Sequence, residues 1–384
     1  MTTTQPTQRL VSLDVFRGST VAAMILVNNP GTWAHIYGPL KHAPWHGWTI
    51  TDLIFPFFLF IVGVAIVLAF SKRLAAGGDR HDLQKKTWVR AAKIMGLGLL
   101  LSAFPYISFA DGFGLHQNLT EIRVFGVLQR IAICYLVASI MFIYLSERAQ
   151  YIWIAVLLLG YWAVMMLIPV PGYGPGMIDS MDGNLAAWLD RQILDGKHLW
   201  LGTFDPEGLL STFPAIATTM LGVFTGHILV SKDDQVTKTV RFFIWGCVFI
   251  SIGYVWDWFF PINKPIWTSS YVMFTGGQAM CAFALSYWVI DVKNIRGWTT
   301  PFVAYGINAL IVFFMSGILA RSLNLITVAG PEGTIISLQR WIFNNAFLTI
   351  AEPVNASLLY AVVWIVLWFF VLYWMMKRNI IIKV

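Results

Sequence analysis

Apolar residues run along this chain in blocks of about twenty, separated by shorter polar stretches. A hydrocarbon core of roughly 30 Å needs about 20 apolar residues per helix. By that rule the pattern predicts ten spanning helices, near 12–29, 50–70, 89–107, 124–146, 150–168, 209–230, 239–260, 269–290, 299–319 and 353–375. The expected fold is all-α and polytopic, a single integral-membrane domain over residues 1–384 with no tandem repeat or linker-like stretch. The opening residues MTTTQPTQRL lack the basic region and small-residue cleavage site of a signal peptide, so the first block is expected to stay as a helix.

Lys and Arg concentrate on the cytoplasmic side of membrane proteins. The segment after the second block holds Lys72, Arg73, Arg80, Lys85, Lys86, Arg90 and Lys93, which sets that side. Alternating from there, the inside segments gain Arg9, Arg148, Lys232, Lys238, Arg241, Lys293, Arg296, Lys377, Arg378 and Lys383. The outside is left with Lys41, Arg191, Lys197, Lys264, Arg321 and Arg340. Both termini are therefore expected in the cytoplasm, with long outside loops at 30–49, 169–208 and 320–352. The last contains SLQRWIFNNAFLTI, read as an amphipathic interfacial helix with Trp341 near the headgroups.

Composition sharpens this picture. The 384 residues are 58% hydrophobic and 12% charged, against about 25% charged in an ordinary globular domain. Soluble enzymes, disordered chains and disulfide scaffolds are excluded. The net charge of +7 follows from the cytoplasmic loops and is no signal for nucleic acid. Cys134, Cys247 and Cys281 lie inside apolar stretches and form neither a disulfide framework nor a metal cluster.

Ionisable residues within spans are costly and become functional candidates. Asp14 and Arg17 share a helix face in SLDVFRG, either as an internal ion pair or as a contact for an anionic ligand arriving from the cytoplasm. Arg130 either snorkels outward or binds substrate. Asp52 falls in the first turn of the second span, where a carboxylate suits the helix dipole, with Thr49 and Thr51 as candidate caps. Asp257 near the end of the seventh span is expected to meet water. His35, His42 and His46 share the first outside loop, without the acidic or cysteine partners a zinc site would want. One imidazole acting as a base is the chemically simpler use. Trp33, Trp45 and Trp48 suit stacking on a sugar or seating at the interface.

Several fragments carry a resemblance. RLVSLDVFRG, ILVNNPG and LKHAPWHGWTITDLIFPFFLFIVG, then FGVLQRIAICY, DPEGLLSTFPAIATTMLGVFTG and PINKPIWTSSYV, resemble in order the heparan-α-glucosaminide N-acetyltransferase family of transmembrane acyltransferases. The resemblance is to a bacterial-type member without the luminal N-terminal segment of animal members. It implies transfer of acetyl from cytoplasmic acetyl-CoA, a co-substrate, to the amine of glucosamine or a related amino sugar on the far side. It implies a homodimer in a bacterial inner membrane, with no metal. Lys41-His42-Ala43-Pro44-Trp45-His46-Gly47 matches the family element around its proposed catalytic histidine, which makes His42 catalytic. Asn28, with Asn29 adjacent, matches an asparagine at the family's active centre.

The topology sets Asn28, His42, Asp205, Glu207, Asn263 and Lys264 at or beyond one membrane face. With His42 as general base or as acetyl carrier, Asn28 or Asn29 is expected to donate to the oxyanion. Arg130, Trp45, Asp205, Glu207, Asn263 and Lys264 are expected to contact the sugar, and Arg17 with Asp14 the CoA. Helix capping by Asp205 and Glu207, and an exposed loop charge at Lys264, are the structural alternatives. A transporter of an N-acetylglucosamine-related sugar and an O-acetyltransferase of envelope polysaccharide are the competing functions.

Overall fold

The computed structural model describes residues 10–108 and 114–382; Arg9 and Lys383 lie outside that range. The helices are α1 (Val11–Asn28), α2 (Ile50–Ala75), α3 (Arg80–Ala103), α4 (Val127–Tyr144), α5 (Glu147–Leu167), α6 (Leu185–Ile193) and α7 (Thr212–Val230). They continue with α8 (Gln235–Asp257), α9 (Ser269–Tyr287), α10 (Thr300–Ile307), α11 (Ala309–Leu325), α12 (Leu338–Ile342) and α13 (Pro353–Lys377). Two small antiparallel hairpins, β1 (Ile107–Ser108) with β2 (Gly114–Leu115) and β3 (Thr327–Ala329) with β4 (Ile335–Ser337), are the strands among the described residues.

The ten predicted spans fare differently among the described residues. Among the described residues eight helices are long and apolar enough to span a membrane, and the protein is an integral membrane protein. The predicted third span falls short of that standard. Every 18-residue stretch of α3 contains Lys86, Arg90 and Lys93, yet its 24 residues rise about 36 Å and carry the chain back to the end where α2 began. The predicted ninth span is broken into α10 and α11, which meet at 83°. Asn308 makes the break and ties it to the C-terminal tail, donating to the Ile380 carbonyl and accepting from Ile382 N–H. The predicted interfacial helix is one turn of α12 continued by a π turn over Phe343–Phe347.

Helix starts follow short polar caps: Asp79, Ser146, Asn184, Asp234 and Thr268 each accept a backbone N–H from the first turn that follows. In lipid no hydrophobic drive joins one helix to another, so close packing does the work. Small residues permit it. A Cβ on Gly63 of α2 would stand 1.9 Å from the Thr219 carbonyl oxygen of α7, and one on Gly222 of α7 2.0 Å from Phe60 O. Gly18 of α1 and Gly306 of α10 meet in the same way. The α2–α7 crossing holds the middle of the bundle, and both ends of α2 carry chemistry.

Gly63→Ala must therefore push backbone against backbone, and about 1–3 kcal/mol of stability should go with it. Gly96→Ala in α3, where nothing lies within 4 Å of the added carbon, should leave the detergent melting temperature unchanged or higher. Equal melting of the two variants would show that the close crossing does not matter.

Candidate active site

The site begins with Asp52 and the proline four residues on. Pro56 has no N–H, so the Asp52 carbonyl loses its helical partner; the hydroxyl of fully buried Tyr271 from α9 donates to it instead. The Asp52 side chain is 1% exposed, and a buried carboxylate must be paired or hydrogen-bonded to stay charged. Thr49 N–H reaches Oδ2 at 3.0 Å, the back-reaching half of a capping box. Ala43 N–H donates to the same oxygen at 3.0 Å. Oδ1 receives His42 Nδ1 at 2.6 Å. The helix cap and the histidine clamp are thus one carboxylate.

Lys264 completes the group. Its Nζ lies 3.0 Å from His42 Nδ1 and 3.2 Å from Nε2, and 3.7 Å from Asp52 Oδ1. A point so near both ring nitrogens cannot lie in the imidazole plane without striking the carbon between them. The ammonium therefore stands over the ring face. Burial pushes the Lys264 ammonium down in pKa, while the charges of Asp52 and Glu207 work to keep it protonated. A turn closed by Trp267 N–H to Lys264 O at 3.0 Å, with Pro265 second in it, aims the side chain back over the site. Trp267, fully buried at φ 52°, meets Phe55 edge-on at 5.1 Å and Tyr271 at 5.2 Å, and Arg130 lies over its ring at 5.1 Å.

The three loop histidines do not converge on a common point. His35 lines a separate cavity of about 650 Å³. His46 accepts from Asn263 Nδ2 at 3.3 Å and faces Asp179 at 2.7 Å, so both its nitrogens are engaged. With its Nδ1–H given to Asp52, His42 holds the tautomer whose Nε2 lone pair points outward in the ring plane.

Other sequence candidates take different places. Arg130 does not snorkel: it is 1% exposed and donates to the Gly208 carbonyl and to Ser211 Oγ. Asp205 and Glu207 do not cap α7, whose N-cap is Ser211. Both hold Arg123: its Nε and Nη2 reach the two Asp205 oxygens at 2.8 and 2.7 Å, and Nη2 also meets Glu207. Lys264 is no exposed loop charge. Trp45 spends its indole N–H on the Ile178 carbonyl and packs edge-on against Phe204 at 5.7 Å. Asp257 accepts from Ile262 N–H rather than meeting only water.

Asn28 and Asn29 line the 650 Å³ cavity with Arg340 and Gln339, and no hydrogen bond joins them to His42 among the described residues. At the opposite end of α2 a cavity of about 460 Å³ holds Arg17 and Arg90, between Phe58 and the broken helix. Arg17 is paired with Asp14 at 3.4 Å there and also donates to the Gly306 carbonyl. The ion-pair reading of Asp14 and Arg17 is thus the one the contacts show. Sequence reasoning took Asp52 only as a helix-end charge and passed over Arg123, Tyr271 and Asp190. The Thr49–Asp52–Pro56 spacing carried the signal for the first.

Asp190, beside the Arg130–Gly208 contact, is 0% exposed. One oxygen accepts from Leu209 N–H at 2.9 Å and the other has no partner.

The fold and site together define a polytopic membrane bundle with a buried carboxylate holding a half-exposed histidine beside a lysine at one end of α2, and a basic cavity at the other. Residues 9–255 match the family described as heparan-alpha-glucosaminide N-acetyltransferase, catalytic, and the chain belongs to that family. It is similar to the heparan-alpha-glucosaminide N-acetyltransferases of mouse and human. Identity is 30% and 31% over 357 aligned positions, covering 79% of this chain and 53% and 52% of those proteins. The chain thus spans about half the length of the curated relatives it matches. His42, Asp52, Arg130 and Asp205 fall within the family match, whereas Asn263, Lys264 and Tyr271 lie beyond it.

Burial pushes the Asp190 carboxyl up to about 7, with the Leu209 N–H opposing and Asp205 adding to the rise. A raised carboxyl pKa favours the native state while the proton is on. That stability is fully present below about pH 4 and is lost as pH climbs through 7. Wild-type melting temperature should fall between pH 5 and 8 by more than that of Asp190→Asn, and parallel curves would remove Asp190 from the account.

Proposed function

We propose that this protein is a transmembrane N-acetyltransferase that moves acetyl from acetyl-CoA, bound from the cytoplasmic side, to the amine of glucosamine or a related amino sugar on the outer side. The observation that carries the reading is the His42 Nδ1–Asp52 contact at 2.6 Å, supported by the family membership and by the two relatives' names. A base wants its lone pair exposed and its other nitrogen held, and this pair does both. The bacterial inner-membrane location and the homodimer belong to the same proposal and rest on the resemblance.

In the direct route the neutral amine attacks the thioester carbonyl carbon. A C–N bond forms and the carbonyl electron pair moves to oxygen. Collapse breaks the C–S bond, the pair leaving with CoA sulfur, and the amine proton passes by His42 Nε2 to that sulfur. In a two-step route Nε2 attacks the carbonyl first, and the C–S bond breaks with its electron pair leaving on CoA sulfur. The amine then attacks the acetyl-imidazole, and the C–Nε2 bond breaks with its pair returning to Nε2. The amine proton ends on the thiolate by way of His42. In either route the oxyanion develops beside Nε2, where the Lys264 ammonium stands. Lys264 thereby takes the role first expected of Asn28 or Asn29. Glu207 and Asp52 supply negative charge near the site for an ammonium sugar.

For the donor, CoA phosphates need cations on the cytoplasmic side, and Arg17 with Arg90 in the 460 Å³ cavity fits that need. The cavity reaches up α2 to Phe58, six residues or about 9 Å of helix rise below Asp52. The lining from Phe58 and Val62 to Ala69 and Phe70 suits a long thin arm lying along α2 with its thioester toward the His42 end. A sugar transporter would not require the Asp52–His42 clamp, and that clamp favours the enzyme.

Purified protein should pass labelled acetyl from acetyl-CoA to glucosamine, and His42→Ala should lower the rate at least about 100-fold while the protein stays folded. Transfer at more than a tenth of the wild-type rate would remove His42 from the chemistry. Acid quenching without acceptor separates the routes, since only the two-step path leaves label on the protein.

Arg17→Ala should raise the acetyl-CoA KM about tenfold or more with little change in the glucosamine KM, and Arg17→Lys should recover only part of it, because lysine lacks the two-pronged grip on phosphate. Unchanged constants with a lower protein yield would leave Asp14–Arg17 as a structural pair.

A further inference from the structure

His46 sits four residues after His42, and its bonding differs from that of its neighbour in a way that can be worked out atom by atom. Asn263 Oδ1 receives the Ile266 backbone N–H at 3.0 Å. A backbone amide can only donate, so this fixes the orientation of the Asn263 side chain. Its Nδ2 must then be the atom 3.3 Å from His46 Nδ1, and since Nδ2 can only donate, Nδ1 must accept. The proton lies on Nε2, which donates to Asp179 at 2.7 Å. His42 carries its proton on Nδ1 and His46 on Nε2.

The two contacts of His46 are unequal. The Asp179 side chain is 85% exposed, and a pair so open to water contributes little. Asn263 is 0% exposed. Besides Ile266, it donates its own N–H to Thr268 Oγ1 and accepts Thr268 N–H on its carbonyl. It is the fixed point of the turn that carries Lys264. The next residue repeats the tie: Gly47 N–H donates to the Ile262 carbonyl at 2.7 Å, at a φ of 89° that favours glycine. Two successive residues of the His42 loop are thereby pinned to the two residues just before Lys264.

We propose that His46 is a positioning residue for the transfer reaction: through Asn263 it sets the Lys264 ammonium over the His42 ring. The inference rests on the acetyltransferase reading of the same site. His46 has no nitrogen left for a proton in flight, so its effect is on geometry. A displacement of about 1 Å in a catalytic group is enough to lower a rate about 100-fold.

The test compares substitutions that keep one half of the His46 bonding at a time. His46→Leu removes both halves and should lower kcat about 10- to 100-fold with the acetyl-CoA KM nearly unchanged. His46→Asn places an oxygen acceptor where Nδ1 was and should recover kcat to within about threefold of wild type. His46→Gln can reach toward Asp179 only and should not. In a Lys264→Met background His46→Leu should add less than about threefold, because its effect passes through the missing ammonium. Multiplicative losses in the double variant, or His46→Asn as slow as His46→Leu, would overturn the proposal.

A second readout needs no turnover. Acylation of Lys264 by an amine-reactive anhydride, followed by mass spectrometry on the folded protein, should speed up several-fold in His46→Leu and not in His46→Asn. Equal labelling in all three proteins overturns the inference. A wild type that transfers no acetyl overturns the proposed activity instead, and the labelling comparison still decides the role of His46.

Discussion

Asp52 cannot be buried as a charge in an apolar bundle unless donors surround it, and Pro56 leaves its carbonyl in need of one more. The rest of the His42 end follows from that demand. The loop before α2 must fold back to bring Ala43 N–H and the His42 ring to the carboxylate. The start of α9 must approach closely enough for Tyr271 to reach the carbonyl. The turn before α9 then delivers Lys264 over the same ring. A helix cap, worth about 1 kcal/mol in an ordinary protein, here also fixes a tautomer and a cation. Stability and chemistry share the same atoms, so a substitution at Asp52 would affect both at once.

Packing supports this end from below. Glycines at the α2–α7 and α1–α10 crossings bring backbones together, and α2 is held so that one end presents Asp52 while the other lines the basic cavity. Residues on both sides of the Asn308 break, Gly306 to Ile311, line that cavity across from Phe58 and Ile66. The break that spoils the simple reading of a span is thus also a wall of the cavity.

Hydropathy and charge made the architecture readable. Each of the ten predicted blocks coincides with helix among the described residues, and eight of them, or nine with the bent pair, meet the length and hydropathy of a span. The two irregular crossings escaped because a mean over residues hides where charges fall in α3 and says nothing of an 83° bend. At the site, His42 and Lys264 were named from a resemblance and from topology, and they do meet. Arg130 and Asp205 were named too, but their partners were not legible. Arg123 lies 82 residues from Asp205, and no local pattern links them. Asp52 was visible but underestimated, since a capping carboxylate looks complete with its own helix. That it also clamps a histidine ten positions earlier depends on how a proline- and glycine-rich loop closes.

One consequence follows from the aromatic layer formed by Phe55 and Trp267. Along α2, Phe55 stands one turn below Asp52 and one turn above Phe58, between the proton-handling group and the opposite cavity. The transfer proposed for this protein draws on both ends of α2, so the stretch between them has to hold back ions. Here ring packs against ring at 5.1 Å, with the indole N–H tied to Thr218 and both side chains buried. The same residues that seat the lysine turn thereby double as electrical insulation.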